Sequence, residues 1–171
     1  MFNLIPRIAT VVIATVITFA CSEALPQKEN QTLAEPEYTL NSLEVYKSPT
    51  CGCCGKWIEH INQHGLQTNV HNTHELSRLK TEFGIAPNVR SCHTAVADNG
   101  YIFEGHVPAK FIHKFLSETH VNVIGLSVPA MPLGSPGMEM ENRFMPYKIL
   151  LLHKDGTYSV YQEIDNYEEQ F

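Results

Sequence analysis

The sequence predicts one α/β domain that follows an N-terminal targeting segment. Apolar residues recur at strand spacing in some segments and at helical spacing in others, the two kinds alternate along the chain, and two Asp/Asn-Gly turns join neighbouring strands. The chain has 171 residues, of which 43% are hydrophobic and 18% are charged. This composition is ordinary for a globular protein. The net charge of −6 argues against nucleic-acid binding, which needs a basic face.

The N-terminal segment has the composition of a secretory signal. Arg7 supplies a positive charge, and Ile8–Ala20 is apolar apart from its threonines. A helix of this length spans about 20 Å, which is too short for a bilayer core of about 30 Å. We therefore expect residues 1–21 to be a signal peptide and the mature protein to be periplasmic, outside the cytoplasm.

Cys21 leaves two kinds of processing open. A cysteine at the end of such a segment resembles a bacterial lipoprotein signal, in which the thiol is lipidated after cleavage. Ordinary cleavage near Ala20 or Ala24 is the alternative. Residues 22–37 are rich in Glu, Gln, Pro and Asn, so we expect a flexible linker. The folded domain is then expected to span residues 38–171.

The first half of the domain predicts the order strand, helix, strand, helix. Leu43–Lys47 alternates apolar and polar residues, which is typical of a strand. Apolar residues within Cys54–His64 recur at helical spacing, and Gly65 ends this helix. Gln67–His71 predicts a second strand. Thr73 is placed to cap a helix that ends at Phe83.

The second half predicts two hairpins and a helix between them. Asp98-Asn99-Gly100 and Asp155-Gly156 are typical hairpin turns. Pro108 opens a helix with apolar residues on one face. The strands of the two hairpins are Thr94–Ala97 with Tyr101–Glu104, and Tyr147–His153 with Thr157–Gln162.

The order β-α-β-α-β-β-α is that of a thioredoxin-like fold. A Cys-x-x-Cys pair, Cys51 and Cys54, falls between the first predicted strand and the first helix, where that fold carries its redox pair. The sequence therefore predicts a thioredoxin-like domain. Two additions are expected, a C-terminal β-hairpin and a Met/Gly/Pro-rich loop at Met131–Met140.

Cys51, Cys53 and Cys54 place three thiols in one turn at a predicted helix N-terminus. The free N–H groups and the positive end of the helix dipole favour the thiolate there. Cys92 precedes the third strand, in a loop that faces the first helix in a thioredoxin-like fold. We expect Cys92 to supply a fourth sulfur and His93 an imidazole.

Three interpretations of these cysteines stay open. In an oxidising compartment they could form two disulfides, for example Cys51–Cys54 with Cys53–Cys92. Pairs within the Cys51–Cys54 turn close only short loops, which stabilise a fold less than long loops do. A thiol–disulfide oxidoreductase needs only two cysteines and leaves the third unexplained. A soft-metal site uses all of them, because thiolate and thioether ligands select Cu(I). Zinc is less favoured, since structural zinc sites draw their thiolates from two separated knuckles.

Thioether sulfurs are concentrated in the Met/Gly/Pro-rich loop. Met131 and Met138 flank Pro and Gly and have few large apolar residues near them in the sequence, so both are candidate copper ligands. Packing into gaps of the core is the alternative role for each.

Among the nine histidines, His106 is a candidate ligand because it lies between the first hairpin and the third helix. His60 and His64 are spaced i, i+4 on the first helix and therefore share one face. Metal binding by this pair is one interpretation. Exposed histidines on a solvated face are the favoured alternative.

Four segments together resemble a bacterial family of small extracytoplasmic metal-binding proteins that includes the CopG-type periplasmic copper proteins. The resemblance runs from about Leu43 to Gln162, and the segments appear in the family's order. They are Tyr46-Lys47-Ser48-Pro49-Thr50-Cys51-Gly52-Cys53-Cys54, Ser91-Cys92-His93-Thr94-Ala95, Glu104-Gly105-His106-Val107-Pro108 and Met131-Pro132-Leu133-Gly134-Ser135-Pro136-Gly137-Met138-Glu139.

The resemblance implies a thioredoxin-like fold, copper binding through the Cys-x-Cys-Cys motif and a role in copper resistance. It also suggests a copper oxidoreductase activity that interconverts Cu(I) and Cu(II), so both an enzyme and a binding module stay open. The expected partners are copper ions and other periplasmic copper-handling proteins, with a membrane reached only through a lipid on Cys21. The expected ligands are Cys51, Cys53 and Cys54 as bridging thiolates of a multicopper cluster, then Cys92, and then His93, His106, Met131 and Met138.

Overall fold

The computed structural model describes residues 42–171. The predicted signal peptide, the linker and Cys21 lie outside the described residues, as do the first four residues of the predicted domain, 38–41. Within the described part of the chain, no helix is long and apolar enough to cross a membrane.

Residues 42–171 form a mixed α/β fold in which seven strands and three α-helices are described. The strands are β1 Ser42–Lys47, β2 Gln67–Asn72, β3 His93–Ala97, β4 Ile102–Gly105, β5 Val123–Val128, β6 Tyr147–His153 and β7 Tyr158–Ile164. The helices are α1 Gly52–Gln63, α2 Leu76–Glu82 and α3 Ala109–Leu116, with short 3-10 turns at Pro87–Val89 and Tyr167–Gln170.

All seven strands belong to one sheet, in the order β2-β1-β3-β4-β5-β6-β7. The pairs β1–β2 and β4–β5 are parallel, and the other four neighbouring pairs are antiparallel. β6 and β7 are consecutive in the chain and form the last pair.

The register of the sheet brings four chain segments to one edge. Lys47 at the end of β1 pairs with His93 at the start of β3, and Gly105 at the end of β4 pairs with Val128 at the end of β5. The segments next to these strand ends carry the Cys-x-Cys-Cys motif, Cys92, His106 and the Met/Gly/Pro-rich loop. The topology thus positions the four motifs together although they are far apart in sequence.

Alternation along the strands buries one face of the sheet in a large core. In β1 every second residue is buried, which places Leu43 and Val45 in that core. Trp57 of α1 and Phe115 of α3 pack into the same core and are fully buried. A smaller apolar cluster includes Ile102 of β4 and the β6 residues Leu150 and Leu152.

Strand β5 does not follow from the sequence pattern. This strand pairs with both β4 and β6 and joins the two predicted hairpins into one sheet. Gly125 interrupts its apolar pattern, and a Cβ atom at that position would overlap the backbone of Ile102. The glycine therefore permits a close approach of two strands, whereas in sequence it weakens the strand signal.

The start of α2 also differs from the prediction. The helix begins at Leu76, with Glu75 as its N-cap. The hydroxyl of Thr73 accepts a hydrogen bond from the Glu75 N–H at 3.0 Å. Thr73 therefore stabilises a turn ahead of the helix and does not cap the helix itself.

Candidate metal centre

Four cysteine side chains meet at the sheet edge where α1 begins. The sulfur atoms of Cys51, Cys53, Cys54 and Cys92 all lie within 4.8 Å of one another. Cys54 is fully buried, and the other three are partly exposed. The structure therefore brings together the four sulfurs that the sequence predicted as a group, and leaves one side of the group open to solvent.

Two of these cysteines are covalently joined. Cys51 and Cys54 form a disulfide with their Cα atoms 5.4 Å apart, whereas Cys53 and Cys92 are free. The sequence predicted three thiolates in this turn, so the described state differs from that expectation at Cys51 and Cys54. Of the two disulfides named as an alternative, Cys51–Cys54 and Cys53–Cys92, the structure contains only the first among its described residues.

The local structure of the first turn explains this pairing. Cys51 is the N-cap of α1, with extended backbone dihedrals and no side-chain capping hydrogen bond. Its N–H donates to the Ser48 carbonyl at 3.1 Å, which closes the preceding turn. The Cys51 side chain is therefore available to bond with Cys54 one turn later. The intervening Cys53 keeps its Sγ atom 3.4 Å from that of Cys51.

Cys92 also belongs to a second group of donors. Potential ligand atoms of Cys92, His93 and His106 all lie within 4.8 Å of one another. The Cys92 Sγ atom lies 3.3 Å from Nδ1 of His93 and 3.1 Å from Nε2 of His106. Cys92 is thus the shared member of a sulfur group and an imidazole group.

Burial keeps this second group uncharged. Desolvation lowers the pKa of His93 far below its usual value and also lowers the pKa of His106. Desolvation, together with the neighbouring Cys53 thiol, raises the pKa of Cys92 to about 12. Two neutral imidazoles beside a thiol form a donor set of the kind that binds transition metals such as copper and zinc, and the metal replaces the thiol proton when it binds.

His93 has an unpartnered nitrogen in the core. Its side chain is fully buried, and its ring centroid lies 4.3 Å from that of Trp57. Among the described residues, the Nε2 atom of His93 is buried without a hydrogen-bond partner. Buried polar groups are normally paired, so this atom is an exception next to the candidate metal centre.

The two candidate methionines make different contacts. The Sδ atom of Met131 lies 4.0 Å from the Cys53 Sγ atom, at the open side of the sulfur group. Met138 contributes backbone contacts: its N–H donates to the Ser135 carbonyl at 2.7 Å, and its carbonyl accepts from the Gly134 N–H at 3.0 Å. Its role as a ligand stays a prediction.

The Met/Gly/Pro-rich loop is packed against the site. Ser135, Pro136 and Gly137 are buried, which the aperiodic sequence did not predict. Gly137 has a φ of +88°, and a Cβ atom there would lie 2.7 Å from the Cys53 carbonyl oxygen. Only glycine accommodates both the backbone conformation and the close approach to α1. The Pro136 carbonyl accepts a hydrogen bond from Nδ1 of His106 at 2.8 Å.

A buried polar network supports the segment that carries Cys92, and the sequence interpretation assigned it no role. Glu104 is fully buried and forms an ion pair with Lys80, which is 3% exposed. Its two carboxylate oxygens accept hydrogen bonds from the Ser91 N–H and the Thr94 hydroxyl, both at 2.6 Å. A carboxylate within a short apolar strand is the signal that would have indicated a buried cationic partner.

His60, near the end of α1, and His64, which follows the helix, do not form an exposed pair. His60 is 9% exposed, and its Nε2 atom accepts a hydrogen bond from the Ala109 N–H at 3.1 Å. Burial lowers the pKa of His60 to about 4, which keeps this acceptor neutral. The favoured prediction of two solvated histidines is therefore wrong for His60, which supports the first turn of α3, and it holds for the exposed His64.

Comparison with known proteins gives a consistent set of relatives. A family model described as "Protein of unknown function, DUF411" matches residues 89–138. The search of curated proteins gives no match. Two solved structures are similar to the chain, and both are described as copper resistance protein CopG.

The first structure, form 1, is 38% identical with a TM-score of 0.68, and the match covers 73% of this chain and 98% of that one. The second, form 2, is 37% identical with a TM-score of 0.68, and the match covers 72% and 97% of the two chains. Nearly the whole of each relative is therefore matched at an identity that indicates common descent. The chain belongs to the family of CopG copper resistance proteins.

Proposed function

We propose that the protein binds copper at the sheet edge and serves copper resistance outside the cytoplasm. One observation carries the proposal: four cysteine sulfurs lie within 4.8 Å of one another. One of them, the sulfur of Cys92, also lies within 4.8 Å of ring nitrogens of His93 and His106. Thiolate, thioether and imidazole donors together suit Cu(I). The description of the two solved relatives as copper resistance proteins supports the same assignment.

In this proposal the fully reduced protein holds Cu(I) through Cys51, Cys53, Cys54 and Cys92. Met131 adds a thioether beside Cys53, and His106 adds an imidazole beside Cys92. His93 and Met138 are further ligand candidates. The compactness of the sulfur group supports bridging of more than one copper ion.

The same site is proposed to interconvert Cu(I) and Cu(II). A site that serves both oxidation states needs soft sulfur donors and harder nitrogen donors. Cys92 joins the two kinds of donor. The partial exposure of Cys53 and Met131 supports exchange of copper with solvent or with another copper-handling protein.

The proposed location rests on the N-terminal segment, whose apolar stretch has the length of the hydrophobic region of a signal peptide. Lipidation of Cys21 would anchor the protein to a membrane. A thioredoxin-like core is proposed from the strand order β2-β1-β3-β4 and from the placement of the Cys-x-x-Cys pair between β1 and α1.

A second candidate function is thiol–disulfide exchange without a metal. The Cys51–Cys54 disulfide favours it, because a Cys-x-x-Cys pair at a helix N-terminus is the usual arrangement of such enzymes. This candidate gives no role to Cys53, Cys92 and the two imidazoles beside them.

Metal analysis distinguishes the two candidates. The protein is purified under reducing, anaerobic conditions from cells grown with added copper, and its metal content is measured per chain. Copper binding predicts copper in the wild-type protein and less copper in a Cys53→Ser variant. Thiol–disulfide exchange alone predicts no copper in either protein.

A further inference from the structure

The four sulfurs of the site fall into two pairs with different states. Cys51 and Cys54 are joined by a disulfide, and Cys53 and Cys92 are free thiols. A disulfide is one half of a two-electron couple. The pocket therefore contains a built-in electron donor or acceptor directly beside the sulfurs that stay available to a metal.

We propose that the reduced Cys51–Cys54 pair is the electron source for reduction of Cu(II) to Cu(I) in this pocket, and that Cys53 and Cys92 retain the Cu(I) product. This inference rests on the proposed function, namely that the pocket binds copper. It adds the redox partner, which is a dithiol of the protein itself.

The electrons, protons and bonds of this reaction balance. The thiols of Cys51 and Cys54 lose two protons to solvent and two electrons to two Cu(II) ions, and one S–S bond forms between the two sulfurs. The products are two Cu(I) ions and the disulfide that the structure describes. A second turnover requires reduction of the disulfide by an external dithiol.

Position favours Cys51 and Cys54 as the pair that gives up electrons. Their Cα atoms, 5.4 Å apart, lie within the range that a disulfide spans. The Sγ atom of Cys54 is buried and lies 3.8 Å from the Cys92 carbonyl oxygen. A disulfide is uncharged, so this oxidation leaves no thiolate charge in the buried position.

Position also favours Cys53 and Cys92 as the pair that retains copper. Each of them has a second donor close by: the Met131 thioether lies 4.0 Å from Cys53, and Nε2 of His106 lies 3.1 Å from Cys92. Cys53 Sγ is also 3.4 Å from Cys51 Sγ. An ion bound at Cys53 would therefore lie next to the sulfur that is oxidised.

A single-turnover experiment tests the inference. The full chain is reduced, freed of reductant under anaerobic conditions and mixed with two equivalents of Cu(II) sulfate per chain. Free thiols are then blocked with iodoacetamide, Cu(I) is counted with the chromogenic chelator bicinchoninate, and disulfides are mapped by peptide mass spectrometry. Two Cu(I) ions per chain and a Cys51–Cys54 disulfide are expected, because the couple carries two electrons.

Single-cysteine variants assign the electrons to this pair. Cys51→Ser and Cys54→Ser are each expected to form Cu(I) more slowly and in lower yield than the parent. Cys21→Ser also removes one thiol, but from outside the described domain, and it is expected to form Cu(I) as the parent does. Circular dichroism confirms that the variants are folded, and the disulfide map of the wild-type protein tests the inference without any substitution.

A separate titration with Cu(I) keeps the two proposals apart. If the protein binds Cu(I) but Cys51→Ser still reduces Cu(II) as the parent does, the dithiol inference is wrong and copper binding stands. A wild-type disulfide that joins Cys53 to Cys92 would overturn the inference in the same way. If the reduced protein does not bind Cu(I), the proposed function itself fails.

Discussion

The Nε2 atom of His106 lies 3.1 Å from the Sγ atom of Cys92. The other ring nitrogen, Nδ1, lies 2.8 Å from the Pro136 carbonyl oxygen, which can only accept a hydrogen bond. Nδ1 therefore carries the proton, and because burial lowers the pKa of His106, the ring is neutral. The lone pair of Nε2 consequently faces Cys92, where it accepts the thiol proton or binds a metal.

The first prediction concerns this nitrogen. His106→Gln removes the Nε2 lone pair beside Cys92, and Cu(I) affinity is expected to fall about 10–100-fold, as for other losses close to a metal. Affinity is measured by competition with a Cu(I) chelator. The control is His113→Gln, since His113 is exposed and bonds to the His64 carbonyl. Equal affinity of both variants would show that His106 has no part in the site.

The second prediction separates the bonded and the free cysteines. Cys54→Ser removes the Cys51–Cys54 disulfide and is expected to lower the stability of the oxidised protein by about 2 kcal/mol, the chain-entropy value for so short a loop. Cys53→Ser removes a free thiol and is expected to change stability by less than about 1 kcal/mol while lowering the copper content.

Urea denaturation of both variants, with and without a reductant, checks this prediction. In the presence of the reductant, the loss of stability in Cys54→Ser relative to the wild-type protein should shrink, because the wild-type protein then lacks the disulfide too. A large loss of stability in oxidised Cys53→Ser would indicate a structural role for Cys53 and would count against a metal role.

The third prediction concerns the methionines. Met131→Leu conserves volume, so stability should change by less than about 1.5 kcal/mol, but Cu(I) affinity should fall because the thioether near Cys53 is lost. Met138→Leu tests the other candidate in the same assay. Met145→Leu is the control, since Met145 is 56% exposed. If Met131→Leu binds Cu(I) as tightly as Met145→Leu does, Met131 is not a ligand.

The fourth prediction concerns the network behind Cys92. Glu104→Gln leaves Lys80 buried without a counter-ion, and removal of one partner from a buried pair typically costs about 3–5 kcal/mol. Adding Lys80→Met to this variant should recover part of the loss. Thermal or urea unfolding of the apo protein measures both effects.

A surface ion pair provides the comparison. Lys148 and Glu163 are exposed and 2.7 Å apart, and Glu163→Gln should cost less than about 1 kcal/mol. If Glu104→Gln costs no more than Glu163→Gln, the buried pair does not stabilise the segment that carries Cys92.

The parts of the fold that the sequence predicted are those with a clear local pattern. β6 spans Tyr147–His153 as predicted, because its apolar run is bounded by a proline and a turn. β5 was missed because its close contact with Ile102 requires Gly125, and a strand glycine is a signal against a strand. The burial of Glu104 depends on Lys80, which is distant in sequence and paired with it only by the fold.

The candidate site was predictable as a set of residues but not as an arrangement. Motif order and residue type indicated the four cysteines, and the sheet register brings them together. The sequence indicated Cys51 and Cys54 as a Cys-x-x-Cys pair, but it left open whether they form a disulfide, because four cysteines allow three pairings. The packing of Pro136 and Gly137 against His106 and α1 depends on long-range contacts that an aperiodic segment does not reveal.

The central claim is that this pocket is a copper site. It is tested most directly by titrating the fully reduced full chain with Cu(I) and, in parallel, with Zn(II), each against a competing chelator of known affinity. Clustered thiolates with a thioether and imidazoles should bind Cu(I) far more tightly than Zn(II), and Cys53→Ser should weaken the binding of Cu(I). Zinc binding that equals or exceeds Cu(I) binding would contradict the claim.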